Sequence, residues 1–146
     1  MKPSHRLSTA LALPLTAVML SGCGLVGPET FGADDRSIEV DAGDTFELTL
    51  PANPSMGQDW NIVRPGPDRA TVRQEGGRED DFAGDSGADG GGDGTQTFTF
   101  QTVDAGTTEI ELSYCVLGAC PDGDDRTATG SPGNDPAYFT YTVTVR

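Results

Sequence analysis

The sequence predicts an all-β fold, an immunoglobulin-like β-sandwich of seven or eight short antiparallel strands. Three observations predict it. Apolar and polar residues alternate in Phe46-Glu47-Leu48-Thr49-Leu50, in Ile110-Glu111-Leu112-Ser113-Tyr114 and from Phe139 to Val145, the period of strands with one buried and one wet face. Clusters of Gly, Pro, Asn and Asp punctuate these runs at short intervals. No stretch repeats its apolar residues at helical spacing, and a folded part of roughly 110 residues suits one core and one domain.

Residues 1–22 read as a processing signal. Met1 to Arg6 is basic, Leu7 to Leu20 is an apolar run too short to span a bilayer, and Leu20-Ser21-Gly22-Cys23 looks like a bacterial lipobox. That motif implies a lipid on Cys23 and an exported chain, anchored to the cell membrane and facing outside the cytoplasm. The alternative is an ordinary secretory signal with a Cys near its cleavage site. Residues 23–36, rich in Gly, Pro and acids, read as a flexible tether, and 37–146 as the sandwich domain.

Along that domain, Ile38 and Val40 alternate with Glu39 and Asp41 before the turn Ala42-Gly43-Asp44. Phe46, Leu48 and Leu50 follow, stopped by Pro51-Ala52. Next comes Asn53-Pro54-Ser55-Met56-Gly57-Gln58-Asp59-Trp60. Pro54 fixes its own φ and pushes Asn53 out of the helical region, Gly57 supplies backbone freedom, and Trp60 anchors the far end in the core. This octapeptide reads either as a plain hairpin connection or as a stiff loop presenting Ser55-Met56-Gly57 at its tip.

Trp60 to Val63 resumes as strand, stopped by Arg64-Pro65-Gly66-Pro67, and Asp68 to Gln74 reads as a short strand around Ala70 and Val72. Gly76 to Gly94, almost all Gly, Asp and Glu, reads as a long mobile loop. Thr95 to Gln101 carries Phe98 and Phe100. After the turn at Asp104-Ala105-Gly106 comes the strand Thr108 to Val116. Pro121 to Pro136 is a second loose stretch, and Phe139, Tyr141, Val143 and Val145 mark the last strand.

Composition excludes much chemistry. Lys2 and His5, the only Lys and His, lie in the signal, leaving 7 Arg against 23 Asp and Glu and so a net −16. The domain therefore has no imidazole base, no His metal ligand, no Lys nucleophile and no phosphate loop, and it reads as a non-enzyme without cofactor. Such acidity disfavours nucleic acid and anionic lipid. It suits a basic partner or reflects an acid-rich proteome. Calcium binding by Asp85, Asp89 and Asp93, or by Asp122, Asp124 and Asp125, competes with a reading of both runs as solvated loops, since neither has EF-hand spacing. Cys115 and Cys120 remain once Cys23 carries lipid, and in an exported protein an even pair reads as a disulfide, the alternative being two thiols.

The order of these features is similar to that of the chagasin-like cysteine protease inhibitors, family I42, bacterial and protozoan inhibitors of papain-like proteases. Asp41 through Trp60 resembles the family's first strands and its Asn-Pro-Thr-Thr-Gly-aromatic loop. Gly87 to Gly94 and the Phe98–Phe100 strand resemble its second loop and the strand after it, and Asp104 through Tyr114 resembles the strand entering the third loop. The resemblance covers most of Ile38 to Arg146. It implies a three-loop wedge that blocks the protease's active-site cleft. Pro54 and Gly57 would shape the wedge, Ser55 and Met56 fill its tip, and Asn53 and Trp60 brace it, while Gly90, Gly91 and Gly92 would let the backbone approach the enzyme.

The chain departs from the pattern at Met56, at Gln58 and in the third loop. There Cys115-Val116-Leu117-Gly118-Ala119-Cys120 stands where the family has Arg-Pro-Trp or Arg-Pro-Phe, so Val116 and Leu117 are the expected apolar contacts. The function implied is a monomeric, membrane-anchored inhibitor of papain-like cysteine proteases. The alternative is a non-inhibitory binding or structural module of the bacterial envelope.

Overall fold

The computed structural model describes residues 27–82, 94–122 and 132–146. The strands are β1 (Glu29–Phe31), β2 (Ser37–Val40), β3 (Thr45–Ala52), β4 (Asp59–Ile62), β5 (Val72–Phe82), β6 (Gly94–Thr102), β7 (Gly106–Cys115) and β8 (Ala137–Val145), with a 3₁₀ turn at Pro54–Met56. They form two four-stranded sheets, β1-β3-β6-β5 and β2-β8-β7-β4. β1 pairs with β3 and β2 with β8 in parallel, so both sheets are mixed rather than wholly antiparallel.

The alternation read from the sequence places the core. Phe46, Leu48 and Leu50 of β3 and Phe98 and Phe100 of β6 face Ile110, Leu112 and Tyr114 of β7 and the apolar set of β8, and all are buried in one cluster. Burying each large side chain contributes about 1.5–3 kcal/mol. Two expectations are corrected. Residues 29–36, read as tether, belong to the sandwich: Glu29 to Phe31 pairs with Phe46 to Leu48, Ala33 accepts a hydrogen bond from the Tyr141 hydroxyl, and the Arg36 guanidinium lies 4.5 Å over the Phe139 ring. Residues 76–82, read as loop, continue β5 and pair with β6 across a bulge between Glu75 and Glu79. This edge strand buries only Val72. The backbone ladder holds it, and its charged side chains shield an open sheet edge.

Register fixes which connections share an end. Ala52 pairs with Gly94, Gly94 with Phe82, and Asp59 with Cys115. The links 53–58, 83–93 and 116–120 therefore all leave from the same end of the sandwich. Glu29 pairs near the start of β3, so the N-terminal segment enters at the opposite end.

Candidate functional site

The β3–β4 loop is closed by its own polar groups. The Asn53 N–H donates to Gln58 Oε1 at 2.9 Å, and the Gln58 N–H donates back to Asn53 O at 3.1 Å. Asn53 Oδ1 accepts the Ser55 N–H at 3.0 Å and its hydroxyl at 2.6 Å, the side-chain-to-backbone turn that favours Asn at this position. Every such bond holds the tip without help from a partner. Ser55 and Met56 are exposed, Met56 at 44%.

The third loop is a tight hairpin. Val116 and Ala119 exchange backbone hydrogen bonds of 2.8 and 2.9 Å, and the disulfide between Cys115 and Cys120 clasps the residues just outside them. Leu117 at φ 53° and Gly118 at φ 77° are the two central residues. Positive φ at both is the signature of the I′ turn that matches strand twist. Leucine there is an uncommon choice, and it leaves the side chain 74% exposed. Val116 is corrected: it is 5% exposed and packs in the core, because its pairing with Ala119 keeps it in strand alternation after Tyr114.

The two loops are joined. The Leu117 N–H donates to Met56 O at 3.1 Å. Gly57, at φ 60°, lies so close that a Cβ would stand 2.9 Å from Leu117 Cα. Only glycine meets both demands. The result is a single tip with two exposed apolar side chains, Met56 and Leu117, carried on a shared backbone contact.

Beneath the tip lies a network centred on Trp60. Its ring is buried against Tyr114 and Phe139, with centroids 4.6 and 5.0 Å away, and its indole N–H donates to Pro51 O at 2.9 Å. The buried Gln96 accepts the Trp60 N–H at 2.8 Å and donates to Asp59 Oδ1 at 3.0 Å. Arg78 reaches from β5 to Asp59 Oδ1 at 2.6 Å and to Trp60 O at 2.9 Å, tying one sheet to the other. Burial would raise the Asp59 carboxyl, but hydrogen bonds from Gln96 and Asn61 and the charge of Arg78 outweigh it, leaving the pKa below the ordinary value.

Of the residues expected from sequence, Asn53, Ser55, Met56, Gly57 and Leu117 come together at one tip, and Trp60 anchors it from below. The backbone of Pro54 begins the 3₁₀ turn. Gly90, Gly91, Gly92 and Cys23 lie outside the described residues, as do Asp85, Asp89, Asp93, Asp124 and Asp125 of the calcium readings. Gln58, Gln96 and Arg78 were missed. Gln96 carried a signal, since it keeps the parity of Phe98 and Phe100 and so had to face inward.

Solved structures of similar fold include the cysteine protease inhibitor EhICP2 from Entamoeba histolytica. It matches with a TM-score of 0.52 at 20% identity, covering 81% of this chain and 95% of that one. Amebosin matches with a TM-score of 0.54 at 19% identity, over 82% and 100%. At these identities the likeness shows the fold. No curated protein matches by sequence. The profile of the chagasin family peptidase inhibitors, I42, matches residues 39–129, a span running from β2 past the clasped hairpin. On that match over more than half its length, the chain belongs to the chagasin family of peptidase inhibitors.

Proposed function

We propose that the chain inhibits papain-like cysteine proteases by placing the joined tip of Met56, Gly57 and Leu117 in the active-site cleft. In this reading a lipid on Cys23 holds it to the outer face of the bacterial cell membrane, and the domain acts as a monomer. The observation that carries the reading is the contact between the loops, with the Leu117 N–H on Met56 O. A tip already locked by internal hydrogen bonds loses little entropy on docking. It also resists cleavage: Pro54–Met56 is wound in a 3₁₀ turn rather than extended, and the carbonyl of the Met56–Gly57 bond is engaged by the neighbouring loop. Met56 and Leu117 supply apolar contact where the family's third loop carries an aromatic. Phe82 and Gly94, where β5 ends and β6 begins, lie at the same end of the sandwich as the tip. The N-terminal segment enters at the far end, so a lipid there would leave the tip pointing outward.

Titrating papain with the chain from Gly24 tests this. The expected result is competitive inhibition at nanomolar concentration, with the inhibitor recovered uncleaved. No inhibition of papain or a few relatives at micromolar concentration favours the second reading, a non-inhibitory envelope module. One observation speaks for that reading: between Cys115 and Cys120 the third loop exposes a single large hydrophobic side chain, Leu117.

A further inference from the structure

A pocket of about 300 Å³ opens on the flank between β4 and β5, lined by Arg64, Arg69 and Arg73 together with Ile62 and the Pro65 to Pro67 turn. Three of the chain's nine Lys and Arg thus converge on one pocket in a protein with 23 Asp and Glu. No Asp or Glu is among the residues lining it. The other described Arg residues are engaged: Arg78 with Asp59 and Asp80, Arg146 with Glu39, and Arg36 over Phe139 and Tyr141. Arg64, Arg69 and Arg73 form no ion pair among the described residues. Arg73 is aimed by its own Nε–H, which donates to Arg69 O at 3.0 Å, leaving its terminal nitrogens for a ligand. The pocket is thus lined by three cationic residues and no acidic one, and a bound anion would offset that charge. Arginine forks match the paired oxygens of a phosphate or a carboxylate.

Position favours the phosphate of a lipid headgroup. The pocket lies in the half of the sandwich away from the Met56–Leu117 tip. The turn that carries Arg69 is pinned to the start of β7 by the Asp68 N–H on Thr108 Oγ1. The N-terminal segment enters at that end too, because Gly27 and Glu29 lie beside Asp44 and Thr45. Cys23 is four residues before Gly27, a reach of about 14 Å when extended. We infer that Arg64, Arg69 and Arg73 form a phosphate-binding pocket that engages the headgroups of anionic phospholipid. The acidic body is held off the bilayer by its charge, while the end of the sandwich shared by the pocket and the N-terminal segment turns toward it. The pocket's affinity for phosphate rests on its own residues; its facing the membrane rests on the lipidated Cys23 of the proposed function.

Two measurements separate these parts. Residues 27–146 hold both sheets and the whole described core, so the chain from Cys23 serves without its signal. First, inorganic phosphate is titrated while the amide resonances of residues 64–74 are followed. They should shift saturably, and Arg64→Gln/Arg69→Gln/Arg73→Gln should weaken binding by at least ~10-fold without altering papain inhibition. Shifts that are absent, or unchanged in the triple variant, overturn the pocket. Second, the Cys23 thiol is coupled to a maleimide phospholipid, in vesicles of phosphatidylcholine alone or with phosphatidylglycerol, and hydrogen exchange is read. Slower exchange at 64–74 only with phosphatidylglycerol, lost in the triple variant, supports the headgroup assignment. Phosphate binding without that protection overturns it in favour of a soluble phosphate ester. The failure of either measurement leaves the papain titration untouched, and failure of that titration leaves both of these readable.

Discussion

Replacing Gly57 by Ala probes the junction of the two loops with one methyl group. The residue sits at φ 60°, where an L-residue costs about 1–2 kcal/mol. The new Cβ would lie 2.9 Å from Leu117 Cα and 3.0 Å from Leu117 N. Both are backbone atoms, so relief requires one loop to move away. That movement breaks the bond from the Leu117 N–H to Met56 O, worth about 0.5–1.5 kcal/mol. Gly118→Ala is the control, since Gly118 has φ 77° but no atom within 4 Å of an added Cβ. It carries the backbone strain alone. Urea denaturation should therefore show a loss of about 1–2 kcal/mol for Gly118→Ala and about 1.5–3.5 kcal/mol for Gly57→Ala. Papain inhibition should fall by at least ~10-fold for Gly57→Ala, a tenfold change being about 1.4 kcal/mol, and by under about threefold for Gly118→Ala on the same scale. Equal losses in both variants, in stability and in inhibition, would refute the claim that the loops act as one tip.

Three further outcomes follow from the same geometry. Changing Cys115 and Cys120 to Ser opens a loop of only four enclosed residues, so chain entropy allows at most ~2 kcal/mol of global destabilisation. Inhibition should weaken more than stability does, read by denaturation and Ki with and without reductant, and unchanged inhibition would show the clasp to be idle. Gln96→Leu removes the acceptor of the buried Trp60 N–H and should cost about 1–3 kcal/mol by denaturation; a cost near zero would mean that the network does not hold β4. The Asp59 carboxyl has a folded pKa below its unfolded one. Its contribution is therefore present above the unfolded value of ~3.9 and is lost as pH falls through the folded one. Wild type should exceed Asp59→Asn in stability at pH 7, and the gap should close in acid; a constant gap from pH 7 to 3 would contradict that sign.

The strands that bury one face were legible because burial writes period two into the sequence. Phe46, Leu48 and Leu50 announce β3, and Ile110, Leu112 and Tyr114 announce β7. β5 was legible only at Val72. From Gly76 to Phe82 it contributes backbone hydrogen bonds and little apolar burial, so its composition matches that of a loop. β1, three residues long and exposed at all but Phe31, has no period to read. The Asn53–Gly57 loop was legible from Asn-Pro and Gly, whereas its closure by Gln58 needed the backbone path. Val116 and Leu117 looked equivalent, and only the I′ turn decides that Leu117 points out and Val116 in. Leu117-Gly118 between two Cys was the available signal for that turn. The pairing of Arg78 with Asp59 joins residues on different sheets, and no local pattern encodes it.

The most direct measurement is the inhibition constant against papain, taken side by side for the wild-type chain and for Met56→Asp/Leu117→Asp. Both substituted positions are exposed, so the denaturation midpoint should stay unchanged. Wild type should inhibit at nanomolar concentration and the variant at least ~100-fold more weakly, since two charges would have to be buried in the cleft. Equal inhibition by the two chains, or none by wild type at micromolar concentration, would contradict it.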